Sequence, residues 1–192
     1  MSDPLAAARE HLCEHFPDSD PDVASVTFLG VERMDVLRFA TAEGYYYVSL
    51  GCSRHPMTEA SASAVDPVRG PRAEVVMNLR AGVATNGLVR SLAVIAATPA
   101  VDGVVLADDL LVDLSTPLWD GAPFTAVLLG PSSVPDLMSE PPREPVHFLA
   151  AVPLTQTEAA WVRLKGAEAM RQAWADDGVD VRDPARRASA PG

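Results

Sequence analysis

Residues 45–57 read YYYVSLGCSRHPM, and this stretch decides the fold because its character changes at Gly51. The part before the glycine is aromatic and β-branched, which is typical of a strand. The part after it is polar and contains a proline, which is typical of a turn. A cysteine and a histidine lie three residues apart in this turn, so the stretch raises the question of whether it carries chemistry.

The residues before this stretch predict a helix and then strands. Residues 4–16 place apolar side chains at helical spacing and begin with a proline, which suits the first turn of a helix. Residues 23–30 are β-branched and aromatic and predict a strand. Residues 36–41 and 45–50 predict two more, and the short connection between them contains a glycine, which indicates a β-hairpin.

The residues after the stretch continue with strands and a helix. Residues 72–79 alternate between apolar and polar side chains, which predicts a half-buried strand. Arg72 and Glu74 share one face of that strand, where a structural ion pair between them is expected. Residues 88–99 predict a helix that ends at Pro99. Further strands are predicted at residues 104–114, 124–130 and 146–154, of which the last is nearly apolar and therefore central.

The C-terminal part predicts the longest helix and a tail. Thr155 and Glu158 have the spacing of a capping box, which predicts a helix over residues 156–175. Residues 176–192 are polar without periodicity, which predicts a disordered tail. Helices and strands do not alternate strictly, so the sequence predicts a single α+β domain over residues 1–175, with a mixed β-sheet flanked by helices.

Composition and charge limit the partners. The net charge of −11 argues against binding to a nucleic-acid backbone and suits a basic protein partner. No apolar run reaches the roughly 18 residues that a membrane helix needs, so no membrane partner is expected. The N-terminal residues lack the pattern of a signal peptide, and two cysteines make no disulfide framework. We therefore expect a cytoplasmic protein.

Cys52 and His55 are the candidate catalytic pair. A nucleophilic cysteine needs a lowered pKa, a base within hydrogen-bond reach and a group that orients the base. Residues three apart in an extended segment point to opposite faces, and no cysteine-hydrolase signature surrounds Cys52. The opposing interpretation is a small buried thiol at the end of a strand, and no catalytic residue is predicted.

His11 and His15 are candidate metal ligands because two histidines four residues apart on a helix can reach one ion. Two ligands do not make a site, and Cys52 and His55 would complete one only if the fold brought all four together. A solvated helix edge is the opposing interpretation, so no metal and no cofactor is predicted. A small hydrolase or metal-dependent enzyme that uses these four residues stays an alternative function.

The segment YVSLGCSRHPM, residues 47–57, resembles the strand and turn of the Suppressor of Fused domain family, although Cys52 stands where methionine is usual. The positions that fit are Ser49, Gly51, Ser53, Pro56 and Met57. Residues 72–79, 92–99 and 146–166 are similar to later segments of the family. The order and spacing agree over about residues 23–175.

This resemblance implies an α+β domain that is not an enzyme. The family's animal members bind transcription factors of the Hedgehog pathway, and its bacterial single-domain members are proposed to be immunity proteins against toxins. The expected function is therefore a non-catalytic protein-binding domain, with neutralisation of a basic toxin as its specific form. Arg54, His55 and Met57 are the expected contact residues. A regulatory module that binds a peptide in a groove or along an exposed strand is the second alternative.

Overall fold

Seven strands form one mixed sheet and four helices pack on it in the computed structural model, which describes residues 3–189. The helices are α1 (Pro4–His15), α2 (Leu88–Asp102), α3 (Gln156–Lys165) and α4 (Ala167–Asp176). The strands are β1 (Asp22–Val26), β2 (Met34–Ala40), β3 (Gly44–Leu50), β4 (Arg72–Arg80), β5 (Leu111–Asp113), β6 (Phe124–Pro131) and β7 (Val146–Thr155). The predicted α+β fold with a mixed sheet flanked by helices is confirmed.

The sheet has the order β1-β2-β3-β4-β7-β6-β5. Strands β4 and β7 run parallel at its centre, and the other neighbouring pairs run antiparallel. Strands β2 and β3 form the predicted hairpin, in which the Thr41 N–H donates to the Gly44 carbonyl oxygen at 2.8 Å. Glycine is required at position 44 because a Cβ atom there would collide with the carbonyl oxygen of Leu79.

Helices cover both faces of the sheet, so its central strands are buried on both sides. Helix α2 packs on one face through Leu92, and helix α1 packs on the other through Leu12. Helices α3 and α4 lie on the same face as α1, over β6 and β7. In β4, Val75 belongs to the cluster under α2 and Val76 to the cluster under α1. The alternation of residues 72–79 predicts a half-buried strand, and this prediction is wrong. Strand β4 is buried on both faces because it lies between two helices.

Helix α2 continues past Pro99 to Asp102, so the predicted helix end at Pro99 is wrong. A proline inside a helix leaves the carbonyl four residues earlier without its usual donor. Here the Thr98 hydroxyl donates to that carbonyl oxygen, on Ile95, at 2.8 Å. The helix ends at Gly103, whose left-handed backbone (φ 62°) lets its N–H donate to the Pro99 carbonyl oxygen at 3.2 Å.

Three other elements are shorter than their sequence patterns predict, and the first is β1, which ends at Val26 instead of continuing to residue 30. The strand expected over residues 104–114 is limited to β5, because residues 107–110 form a turn in which Asp109 has φ 67°. The helix expected over residues 156–175 is divided at Gly166, which has φ 91° and ψ 167°, a conformation that glycine adopts readily. This break separates α3 from α4.

Residues 177–189 lie against the domain, which differs from the disorder predicted for residues 176–192. The anchor is Arg186, which is buried. Its guanidinium donates to the two carboxylate oxygens of Glu158 at 2.7 and 3.1 Å and to the Pro153 carbonyl oxygen at 2.6 Å. Residues 1–2 and 190–192 lie outside the described residues.

A second contact fixes the start of this tail. The Arg80 N–H, at the end of β4, donates to the Arg182 carbonyl oxygen at 2.9 Å, and the Arg80 guanidinium pairs with Asp180. Arg182 in turn pairs with Glu43 at 2.8 Å. The tail is ordered through paired polar groups instead of an apolar stripe, and for this reason periodicity does not predict it.

Candidate functional site

The exit turn, residues 51–57, follows β3 directly and keeps the strand-to-turn division that the sequence predicts. The chain makes one turn of 3₁₀ helix over Cys52–Arg54, in which the Arg54 N–H donates to the Gly51 carbonyl oxygen at 3.3 Å. A Cβ atom at Gly51 would lie 2.7 Å from the Met34 sulfur. The backbone of Gly51 also has φ 154°, a conformation that residues other than glycine rarely adopt, so glycine is favoured at this position.

The buried carboxylate of Glu74, on the neighbouring strand β4, binds the exit turn through hydrogen bonds. Glu74 is fully buried and accepts four hydrogen bonds. The donors are the Ser49 hydroxyl at 2.5 Å, the Gly51 N–H at 2.9 Å, and the Ser53 N–H and hydroxyl at 2.9 and 2.7 Å. Burial raises the pKa of the Glu74 carboxyl, although the four hydrogen bonds act in the opposite direction. Three positions that carry the family resemblance thus share one acceptor.

Arg72 binds the same turn through its carbonyl groups. Its guanidinium donates to the carbonyl oxygens of Ser53 at 2.7 Å, Arg54 at 2.9 Å and Val68 at 3.2 Å. The predicted ion pair between Arg72 and Glu74 is wrong, because each side chain is directed to the backbone and hydroxyl groups of the turn. The two residues act together as a frame for the exit turn.

The Cys52 thiol and the His55 ring do not form a nucleophile–base pair. The His55 Nε2 atom lies 2.7 Å from a carboxylate oxygen of Glu32 and forms a hydrogen bond with it. Burial raises the pKa of the Cys52 thiol well above its ordinary value, and the nearby Glu74 carboxylate raises it further. A thiol in this setting is protonated at neutral pH, which is the opposite of nucleophile activation.

The expected contact residues differ in their exposure. The His55 side chain is 69% exposed, and the Arg54 guanidinium lies 3.5 Å from the same Glu32 carboxylate. Met57 is buried, and its sulfur accepts a hydrogen bond from the Leu106 N–H at 3.4 Å. Met57 is thus a support inside the turn that also lines a cavity beside it, and the contact role expected for Met57 stays a prediction.

The two histidines of α1 have other partners. The His11 Nε2 atom lies 2.7 Å from the Pro135 carbonyl oxygen, and its ring stacks on Phe148. The His15 ring packs edge-on against Phe16, and burial together with the nearby His11 lowers the pKa of His15. Within the described residues, no three His, Cys, Asp or Glu side chains are grouped so that they could hold a metal ion.

A small cavity of about 270 Å³, which we call the turn cavity, lies against the exit turn. Its walls are the exit turn, residues 30–34 and the C-terminal half of α2. The lining is largely apolar and includes the hydrogen-bonded Glu32 and His55 side chains. A surface of this composition can accept one apolar side chain of a partner, with the polar Glu32 and His55 groups at its rim to orient that side chain.

A second and larger cavity of about 550 Å³, which we call the edge cavity, lies beside β1. Its floor is formed by β1, β2, β3 and β4, and its wall by residues 83–89 at the start of α2. The sequence analysis missed it because its lining comes from several segments that are far apart in the chain. The only local signal is Tyr45, an aromatic residue that lies just past a hairpin turn and is partly exposed.

Comparison with known proteins gives the class of protein that this fold and exit turn define. The model of the Suppressor of fused protein family (SUFU) matches residues 30–187, which is most of the chain. The chain therefore belongs to the Suppressor of Fused family. This confirms the resemblance that the exit turn and β4 indicate. A search among characterised protein sequences finds no significant match.

Solved structures show the same fold. A SUFU homologue from Neisseria gonorrhoeae aligns with a TM-score of 0.74 and 17% identity over 99% of this chain and 98% of the homologue. A chain of the Sufu–Fu complex aligns with a TM-score of 0.69 and 14% identity over 97% of this chain and 91% of that chain. Drosophila Suppressor of Fused gives a TM-score of 0.73 and 14% identity, and the alignment covers 97% of this chain and 51% of that protein.

Proposed function

We propose that this chain is a non-catalytic binding domain whose partner is a basic protein. The observation that carries the proposal is the exit turn, which is rigidly framed by Arg72 and Glu74 and presents charged side chains without an activated nucleophile. The solved Sufu–Fu complex supports it, since a relative with this fold has been captured with a second protein.

The contact surface that we propose is the outer side of the exit turn. His55 and Arg54 offer hydrogen-bond donors, and Glu32 offers an exposed carboxylate beside them. The turn cavity next to these groups accepts an apolar side chain. A charged rim around a small apolar pocket is the usual arrangement of a protein-binding surface.

The specific form of the proposal is an immunity protein that neutralises a basic toxin in the cytoplasm by covering its active site. The net charge of −11 supports a basic partner, because opposite charges speed association and suppress wrong partners. A toxin that cleaves nucleic acid needs a basic surface, and an acidic protein is complementary to that surface.

Affinity capture tests this function. The tagged chain is used as bait in the native cells, and the affinity of any recovered protein is then measured with purified components. We expect a stoichiometric basic protein that binds the double variant Arg54→Ala/His55→Ala at least about tenfold more weakly, because the variant lacks the two hydrogen-bond donors proposed to contact the partner. Arg90→Ala, which removes an exposed charge on α2, should leave the affinity unchanged.

Two results would count against the proposal. A recovered partner that binds the double variant as tightly as wild type would remove the exit turn as the contact surface. Recovery of only a small-molecule ligand, or chemical modification of the recovered protein by the chain, would remove the non-catalytic protein-binding function itself.

A further inference from the structure

The open edge of the sheet at β1 has an unusual lack of protection. Within residues 3–189, β1 pairs only with β2, and the register of its five residues is continuous, without a bulge. Natural edge strands are commonly blocked by lysine, proline or a bulge, yet residues 22–26 read DVASV. The opposite edge strand, β5, has only three residues, and its Asp113 is paired with Arg163.

The hydrogen-bond pattern shows which backbone groups of β1 face outward. Thr41 and Gly44 form a hydrogen-bonded pair in the β2–β3 hairpin, so alternation turns the backbone groups of Val36 toward β1. Val36 is opposite Ala24, whose N–H and C=O therefore point to β2. The N–H and C=O groups of the neighbouring Val23 and Ser25 consequently point away from the sheet.

The two cavities lie at the two ends of this edge. Asp22, Val23 and Ala24 line the edge cavity, and residues 30–34, which follow β1 in the chain, line the turn cavity. Both cavities are walled by α2, so they lie on the same face of the sheet. A strand added along β1 would direct alternate side chains toward that face.

Charge decides what kind of segment fits this edge. The exposed residues Asp18 and Asp20 precede β1, and Glu32, whose side chain is 60% exposed, follows it. A second copy of the chain would bring like charges together, because each copy carries −11. Glu32 already lies beside Arg54 and His55, so a partner segment with lysine or arginine residues is complementary chiefly to the end of the edge at Asp18 and Asp20.

We propose that the β1 edge and the edge cavity bind an extended, basic segment of a partner protein by strand addition. Main-chain hydrogen bonds to Val23 and Ser25 supply affinity, and the edge cavity receives an apolar side chain of the segment. Ala24 and Val36, which are paired on the two outermost strands of this edge, provide the apolar lining nearest to this side chain. The inference rests on the proposed function, since it names the type of segment through which the partner docks.

A synthetic peptide in which lysine and valine alternate tests the inference directly. NMR titration of the whole chain measures its affinity, and amide hydrogen exchange measures protection at single residues. We expect exchange of the Val23 and Ser25 amides to slow by about tenfold or more at saturation, as new hydrogen bonds require. A peptide with glutamate in place of lysine should bind at least about tenfold more weakly.

Two sets of variants test the edge and its charge separately. Val23→Pro removes an outward N–H and keeps the Ala24 pairing with β2, so it should weaken peptide binding by about tenfold. Val65→Pro, in an exposed loop, is its matched control.

The double variant Asp18→Asn/Asp20→Asn tests the charge and should also weaken peptide binding. Its control, Asp102→Asn/Asp108→Asn, changes the net charge equally and should leave peptide binding unchanged.

The inference is overturned if the lysine–valine peptide does not bind, if the Val23 and Ser25 amides exchange as before, or if the chain dimerises through β1 in the absence of peptide. The inference is also overturned if Val23→Pro and the Asp18/Asp20 double variant both bind the peptide as tightly as wild type. These results leave the proposed function intact, because partner capture tests that function without the peptide.

Discussion

At the residue scale, Glu74 explains why the exit turn has its sequence. One buried carboxylate accepts hydrogen bonds from Ser49, Gly51 and Ser53, and each of these positions belongs to the family resemblance. A polar group buried in this way is stable only while its partners are present. The serines and the glycine therefore serve the architecture of the turn and are not signs of catalysis.

Glu74→Ala should lower the free energy of unfolding by about 3 kcal/mol or more, because it leaves several buried donors without an acceptor. Urea unfolding followed by circular dichroism measures this change. Glu59→Ala, which removes an exposed carboxylate, is the control and should change stability by less than about 0.5 kcal/mol. Equal stabilities for the two variants would show that Glu74 does not hold the turn.

Cys52 should react slowly with iodoacetamide at neutral pH, since only the thiolate attacks and the pKa of this thiol is raised. Mass spectrometry gives the labelling rate of the Cys52 peptide as a function of pH, with a free cysteine derivative as the reference. We expect the rate for Cys52 to lie below the reference at pH 7. Labelling of Cys52 faster than the reference would revive the nucleophile hypothesis.

At the scale of elements, the tail over residues 177–189 is held by a buried charge pair. The Arg186 guanidinium contacts Glu158 and lies over the rings of Phe124 and Trp174 at 4.9 and 5.5 Å. Glu158 also caps α3 and accepts from the Trp174 indole at 3.0 Å. The tail is thereby linked to both C-terminal helices.

Arg186→Ala should destabilise the domain by about 3–5 kcal/mol, because it leaves the Glu158 carboxylate buried without its cation. Thermal and urea unfolding measure the loss, and limited proteolysis reports release of the tail. Arg187→Ala removes the same charge from an exposed neighbour and should have little effect. If both variants behave like wild type, Arg186 does not anchor the tail.

The Glu158 pair should also make stability depend on pH. Burial acts to raise the pKa of Glu158, but hydrogen bonds from Arg186, Trp174 and backbone N–H groups outweigh it, and the pKa is lowered from 4.5. A lowered folded-state pKa gives stabilisation that is complete above about pH 4.5 and is lost as the pH falls through the folded-state value. The stability difference between wild type and Glu158→Gln should therefore shrink below pH 4.5, and a constant difference down to pH 3 would contradict this.

The sequence predicts those elements in which local pattern and tertiary packing agree. The β2–β3 hairpin, β7 and the capping box of α3 have strong local signals and are confirmed. The end of α2 does not follow from Pro99, because a hydroxyl one residue earlier satisfies the freed carbonyl. The ordered tail depends on Glu158, which lies 28 residues before Arg186, so no local pattern reveals it.

The sequence predicts the position of the exit turn, but it does not predict all the contacts of the side chains in and below the turn. Strand alternation places Arg72 and Glu74 on one face, yet it cannot show that both bind the turn backbone instead of each other. It also cannot show that Met57 turns inward or that His55 meets Glu32. The edge cavity depends on the strand order of the sheet, which a single sequence does not specify.

At the scale of the whole molecule, charge and topology both favour the basic partner that we propose. The chain carries −11, and exposed carboxylates lie near both ends of the open β1 edge. Among the described residues, none of the helices is both long and apolar enough to cross a bilayer. A basic protein meets the electrostatic requirement of such a surface.

The association rate with the captured partner should fall steeply with salt. Steering by opposite charges operates over about 10 Å at 0.1 M salt and is screened at higher concentrations. Stopped-flow measurements from low to high ionic strength should show a decrease of about tenfold or more, with a smaller change in the dissociation rate. An association rate that is independent of salt would remove the electrostatic part of the account.

The most direct test of the central claim is the affinity of the captured partner for wild type and for Cys52→Ala, measured together with the chemical state of the partner. The account predicts that both chains form a stable complex and that the partner is recovered unmodified from each. A partner that is chemically changed by wild type but left intact by Cys52→Ala would contradict it, because the exit turn would then be an active site.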